Sequence, residues 1–263
     1  MTASSLPALI LWPDSALYAG PGFDADMHRH HALQICMALE HPLRYRSRRE
    51  CAWLTSQAVA IDADQSHELQ CSGQVLVLFV APESDLQKLL VARLLAGKQA
   101  RLAGFAPDIA TATGLLNTFA QTQDKPCAAA CGLRDLFCDQ EQISQKRNGD
   151  ERIERVIASI QQQLEAKISV ANLAAQVALS ADHLMKLFRQ TTGLSVRQYI
   201  LWSRIQRATQ AVVGGMSLTD AAMEAGFSDS AHFSKSFRAT FGLAPSLLNL
   251  IGKQGRFLIC QDA

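Results

Sequence analysis

Apolar positions along the chain change their period twice. Within 31–48, 52–63 and 68–81 they form short runs, alternating or continuous, separated by Gly, Pro, Asp and His. That pattern predicts the strands of a small β-barrel or sandwich. From 83 to 145 the spacing becomes helical, predicting helices within 83–97, 106–121 and 125–142, with Pro126 where a helix start tolerates it. A polar stretch, 141–152, closes with Asn148-Gly149 and reads as a helix end and a linker. Asp150 is then the expected N-cap of a helix carrying Ile153, Val156, Ile157, Ile160 and Leu164 on one face. Everything beyond reads as helix, turn, helix. The expected division is therefore 1–145, a linker at 146–150, a helical domain at 151–250 and a tail at 251–263, an α+β chain of two domains.

The helical half contains a repeat. "ISVANLAAQVALSADHLMKLFRQTTGLS" (168–195) aligns with "MSLTDAAMEAGFSDSAHFSKSFRATFGLA" (216–244). Ser169 matches Ser217, Ala174-Ala175 match Ala222-Met223, and Ser180 matches Ser228. After one inserted residue, Leu184 matches Phe233, Phe188-Arg189 match Phe237-Arg238, and Gly193-Leu194 match Gly242-Leu243. Each copy has the grammar of a helix-turn-helix. A Ser cap opens a short helix with small Ala residues, a turn falls at Ala178-Leu179 or Gly226-Phe227, and a second helix follows Ser180 or Ser228. In that second helix, Phe233 and Phe237 share a face and hold it down. Ser230, Ala231, His232 and Lys235 point elsewhere, outward.

Residues 150–249 resemble the AraC/XylS family of bacterial transcription regulators. "RIQRA" (204–208), "DAAMEAGFSDSAHFSKSFRATFG" (220–242) and "AP" (244–245) carry the resemblance. It implies two helix-turn-helix units joined by a long helix, here about 195–213, reading two adjacent major-groove segments. It places base-contacting positions at Asp182, Met185 and Lys186, and at Ser230, Ala231, His232 and Lys235. An Asp can accept from a cytosine amino group and a Met can touch a thymine methyl. Lys186, Arg189, Lys235 and Arg238 suit phosphate or guanine. Leu248 and Asn249 depart from the family's usual Tyr-Arg, and Gly214-Gly215 loosens the joint before the second unit.

Composition changes this picture little. The chain has 263 residues, 48% hydrophobic and 19% charged, ample for two cores. Residues 150–263 hold 12 Lys and Arg against 9 Asp and Glu, a net +3, while 1–149 hold 13 against 15, a net −2. The lean permits nucleic-acid binding by the second half without establishing it. The longest apolar run, 75–81, is far short of a membrane span, and the first residues lack a basic, apolar leader. Seven cysteines are then expected as reduced thiols in a cytoplasm.

The N-terminal half holds the candidate chemistry. "GFDADMHRH" (22–30) fits the first cupin signature, a Gly, five residues, then His-x-His, so His28 and His30 point into a barrel. Gln34 stands where metal-binding cupins place a Glu, and "AIDADQSHEL" (60–69) puts His67 where a third histidine belongs, with Asp62 and Asp64 replacing the usual Pro and Gly. Two readings stand side by side: a divalent metal on His28, His30 and His67, with or without Gln34, or relics lining an effector pocket. Cys127, Cys131 and Cys138 lie on one helical face and read as core or dimer interface, or as a thiol or metal sensor. Cys260, in the tail, is expected to be the most exposed thiol. "RYRSRR" (44–49) is a basic cluster, by default a solvated loop.

The expectation is a cytoplasmic, non-enzymatic regulator, commonly an activator in such a family. A cupin-like domain senses a small molecule and dimerises, and the helical domain binds double-stranded promoter DNA and can contact RNA polymerase. The alternatives are a cupin metalloenzyme with a helical appendage, which needs an open metal position, and a dimeric DNA-binding adaptor without ligand.

Overall fold

A computed structural model describes residues 7–81, 84–95, 101–137, 150–192, 194–241 and 245–260. Its N-terminal part is built on two sheets. The larger is formed by β1 (Ala8–Leu11), β2 (Ser15–Pro21), β4 (Leu33–Ala38), β7 (Ala58–Ile61), β9 (Gln74–Val80), β10 (Leu102–Phe105) and β11 (Arg256–Ile259), in the order β10-β7-β4-β9-β2-β1-β11. The smaller runs β3-β8-β5-β6, from β3 (Asp24–His28), β5 (Leu43–Arg46), β6 (Leu54–Ser56) and β8 (His67–Gln70). Pairing is antiparallel throughout, except that β11 lies parallel to β1.

The period of two explains how the large sheet is sandwiched. Cys36, Val59, Ile61, Val77 and Phe79 face inward, into one core with Leu43, Tyr45 and Leu69 of the small sheet and Cys71 just past its β8. Ile35, Met37, Ala58, Ala60, Leu76 and Leu78 face the other way. There they are covered by α1 (Asp85–Leu94), α2 (Ile109–Gln121) and α3 (Pro126–Asp135), through Leu90, Leu116, Phe119 and Leu133. A strand buried on both faces needs no polar alternation, which is why 75–81 reads as an unbroken apolar run.

The second half is helical. Asp150 caps α4 (Glu151–Gln162) by accepting from the Arg152 backbone N–H, as expected from its position. α5 (Val170–Gln176) and α6 (Ala181–Thr192) form one unit, α8 (Leu218–Glu224) and α9 (Ser230–Phe241) the other. Between them runs α7 (Val196–Val213), opened by a reciprocal capping box between Ser195 and Gln198. α10 (Leu247–Gln254) follows. No helix among the described residues is long and apolar enough to cross a membrane.

The two halves share one core. The Trp202 indole N–H and the Gln206 amide both donate to the Trp12 carbonyl at 2.8 Å. Phe241, at the end of α9, lies edge-on to Phe79 of β9 at 5.4 Å and to Trp202 at 5.5 Å. The stretch expected as a free tail is not one: 251–254 finish α10, and 256–259 add β11 to the large sheet. The Arg256 guanidinium then donates to the carbonyls of Phe119 and Thr122 and stacks on the Phe119 ring.

That return of the chain corrects two cysteine expectations. Cys260 is buried, not exposed, and forms a disulfide with Cys127, their Cα atoms 5.5 Å apart. The reason is geometric: β11 carries Cys260 alongside α3. Not all thiols are therefore free, and Cys127 is tied within its own chain. Cys131 is half-buried and unpaired, Cys36 and Cys71 are buried together in the core between the two sheets, and Cys138 lies outside the described residues. The basic cluster at 44–49 is also partly built in, since Arg44 and Arg46 stack on Trp53 and Arg46 pairs with Glu68.

Candidate nucleic-acid interface and histidine cluster

The repeat holds down to its hydrogen bonds. Leu179 N–H donates to the Ala174 carbonyl at 3.0 Å, and Phe227 N–H to the Ala222 carbonyl at 2.9 Å. Ala178 N–H reaches Ala175 and Gly226 N–H reaches Met223. Both first helices thus end in the same left-handed cap, with Ala178 at φ 54° and Gly226 at φ 85°. At Gly226 no side chain fits, because a Cβ would lie 2.1 Å from the Leu164 carbonyl oxygen.

These turns aim α6 and α9. On α6, Leu184 and Phe188 are fully buried, Phe188 against Tyr199 of α7 at 5.4 Å. On α9, Phe233 and Phe237 are buried, their rings 5.7 Å apart. The opposite faces are open. Asp182, Met185, Lys186 and Arg189 are exposed on α6, Met185 at 45% although it is a large apolar side chain. Ala231, His232, Lys235 and Arg238 are exposed on α9, and Ser230 is half-buried at its start.

Two of these side chains have local duties as well. Asp182 stands in the first turn of α6, where a carboxylate complements the helix dipole. His232 lies across the Phe227 ring at 5.2 Å, its Nδ1 3.1 Å from the Ser228 hydroxyl. Ser228, expected as the cap of α9, yields that role to Asp229, whose carboxylate accepts from the His232 backbone N–H at 2.7 Å. That bond, with help from Ser228, holds the Asp229 carboxyl below its usual range. In α6 the expected cap stands, with Ser180 Oγ accepting from His183 N–H at 3.2 Å.

Where β3 ends and β8 begins, three histidines meet. The ring of His28 lies 4.2 Å from that of His67 and 5.5 Å from that of His30, and His30 lies 5.0 Å from His67. Each offers a ring nitrogen to a common volume, the three within 4.8 Å of one another. His67 and His30 are buried and His28 is half-buried. All three Nδ1 atoms donate to backbone carbonyls: His28 to Asp26 at 2.6 Å, His30 to Ala32 at 3.0 Å, His67 to Gln65 at 2.8 Å. Burial lowers the pKa of His30 to about 4, partly opposed by Gln34, and that of His67 to about 3, with the neighbouring histidines adding. Gln34 is buried too, its Oε1 2.7 Å from His30 Nε2. His31, on the outside, pairs with Asp64.

Two residues that matter here gave no motif: Phe79, which stacks on both His30 and Phe241, and Trp12, whose carbonyl receives α7. Their signal was only membership of apolar runs. Two clefts flank the helical units. One of about 720 Å³ lies between the first unit, α4, α7 and the Cys260 end of β11, and one of about 660 Å³ lies beside Met223, Arg204 and His232.

Residues 173–249 match the family model of a helix-turn-helix domain. Among curated proteins the chain is similar to YidL, an HTH-type transcriptional regulator of Escherichia coli (strain K12), at 35% identity over 112 residues, 42% of this chain and 36% of that one. It is similar to RhaS, an HTH-type transcriptional activator of Klebsiella pneumoniae (strain 342), at 33% over 115 residues, 43% of this chain and 40% of that one. The chain thus spans about two fifths or less of these relatives. Among solved structures, ToxT from Vibrio cholerae aligns over 90% of this chain and 97% of its own, at 15% identity and a TM-score of 0.48.

Proposed function

We propose that this chain, whose C-terminal half is a double helix-turn-helix of the AraC/XylS type, is a sequence-specific regulator of bacterial promoters. The observation that carries the reading is the paired presentation of α6 and α9. Each is anchored by a buried stripe and opens a face bearing two basic residues, Lys186 and Arg189 or Lys235 and Arg238. Basic side chains on such a face meet phosphates and guanine edges, and the residues beside them, Asp182, Met185, Ser230, Ala231 and His232, meet the remaining base edges.

The N-terminal barrel supplies the control. An effector that prefers one arrangement of the two halves shifts the population toward it and changes DNA affinity. The shared core around Phe79, Phe241, Trp12 and Trp202 is the route. A homodimer through the face of α3 that carries Cys131, contact with RNA polymerase, a cytoplasmic location and activation rather than repression complete the proposal. No catalytic step is assigned to the chain.

Selection from a pool of random duplexes tests it. Enrichment of two short half-sites about 10–10.5 bp apart is expected. Binding without enrichment, with affinity set by salt alone, would refute sequence-specific regulation.

A further inference from the structure

We infer that His28, His30 and His67 bind one divalent transition-metal ion, with the Gln34 amide oxygen beside them, and that this ion fixes the barrel edge on which α9 rests. The second clause rests on the regulator reading of α9, and the first does not.

The tautomers come first. A backbone carbonyl only accepts, so each Nδ1 facing one carries the proton. In a neutral imidazole the other nitrogen, Nε2, then holds a lone pair. Three rings are thereby oriented by carbonyls behind them and present lone pairs ahead, which is how protein frameworks hold metal-ligating histidines.

One buried group is unresolved without a cation. His67 Nε2 is buried and has no hydrogen-bond partner. A lone buried acceptor is costly to leave unpaired. An ion among the three rings satisfies it, and the Gln34 amide, 2.7 Å from His30 Nε2, is close enough to turn its oxygen toward that ion. Bonds of about 2.0–2.1 Å to imidazole nitrogen span the cluster after a small contraction of the rings. Three imidazoles and an amide oxygen, with neither thiolate nor carboxylate in the set, suit zinc, nickel, cobalt or ferrous iron rather than calcium or magnesium.

The site touches α9 directly. His31, one residue past His30, donates its backbone N–H to the Ala239 carbonyl in the last turn of α9 at 2.8 Å. His30 also stacks on Phe79, and Phe79 on Phe241. An ion that immobilises 28–30 therefore immobilises the donor that holds the end of this helix.

The test uses the full chain, stripped with chelator and titrated with cobalt or zinc. One cobalt per chain is expected, with the visible absorption of a low-symmetry site. His28→Gln, at a half-buried position, should weaken binding by at least about tenfold; His67→Gln should do the same if it folds. Substoichiometric binding, or binding unchanged in His28→Gln, overturns the site. Hydrogen exchange across 230–241 should slow on adding zinc to the wild-type chain and stay unchanged in His28→Gln. Unaltered exchange in the metal-loaded wild type overturns the coupling. A chain that binds cobalt but selects no DNA sequence upholds the metal site and refutes only the regulator reading.

Discussion

The two helix-turn-helix units share turns and anchoring stripes, yet one of the aligned positions at which they differ decides how each is held. Where α6 ends in Thr192, α9 ends in Phe241. Thr192 turns its hydroxyl back to the Phe188 carbonyl at 2.8 Å and lines the cleft of about 720 Å³ that separates the first unit from the β11 end of the barrel. Phe241 reaches across to Phe79 and Trp202 and closes the gap on its side, leaving only a small void among Leu9, Leu11, Tyr18, Phe237 and Leu248. Two copies of one motif have thus acquired different mechanical roles. The first is held by its own helices, and the second is fused to the domain that carries the histidines. Under the proposed control, a signal in the N-terminal half acts on the second unit through direct contacts that the first unit lacks at this position.

Removing the aromatic anchor of the second unit should do the most damage. Phe237 sits between Phe233 and Phe241, 5.7 and 4.8 Å from their centroids. Phe237→Ala should cost about 3–5 kcal/mol, the usual loss for a buried Phe, read from the denaturant midpoint. An unchanged midpoint would mean that α9 is not held by this stripe.

Giving the second unit the residue of the first comes next. Phe241→Thr should cost about 2–3 kcal/mol of apolar burial, and its signature is cooperativity rather than size. A single calorimetric transition should split in two as the halves uncouple. One transition at a lower temperature would show that the Trp12–Trp202 contact and β11 alone keep the halves together.

Much of this division was legible in the sequence and some was not. The helix-turn-helix units, the capping of α4 by Asp150 and the long helix α7 were legible, because caps and helical periodicity are local signals. The convergence of His28, His30 and His67 was legible through a motif, but strand alternation does not explain it, because β3 ends at His28 and leaves His30 outside the strand. β1, β2, β10 and β11 were not foreseen, since short apolar stretches such as 8–11 and 256–259 do not announce their partners. The Cys127–Cys260 bridge was hidden for the same reason: it joins residues 133 apart, which only the return of β11 brings together. Asp229 displaced Ser228 as cap because the one-residue insertion in the second copy shifts the helix start by one position. The role of Phe241 was invisible because it depends on a surface in the other half.

On DNA the units should be compared through matched lysines. Lys186→Ala and Lys235→Ala each remove one exposed cation from the open face of its helix. Loss of a base contact costs about 1–3 kcal/mol for the selected site only, and loss of a phosphate contact lowers the salt slope by about one. If barrel control acts on the second unit, the Lys235→Ala deficit should depend on added zinc and the Lys186→Ala deficit should not. Equal dependence would place the control on both units.

The smallest effect concerns the turns themselves. Ala178 adopts φ 54° in the first unit, where the second has Gly226. A left-handed residue with a Cβ carries strain of about 1–2 kcal/mol, while glycine adds about 0.4–1 kcal/mol of entropy to the unfolded chain. The difference predicts that Ala178→Gly stabilises the protein by about 0.5–1 kcal/mol, seen as a modest rise in Tm. The reverse exchange is not symmetric. Gly226→Ala meets the same strain and also drives a Cβ against the Leu164 carbonyl, itself held by Arg204 Nε at 3.0 Å. It should therefore destabilise by more than Ala178→Gly stabilises. Equal and opposite shifts would mean that the Leu164 carbonyl gives way, and that the second turn is no more tightly built than the first.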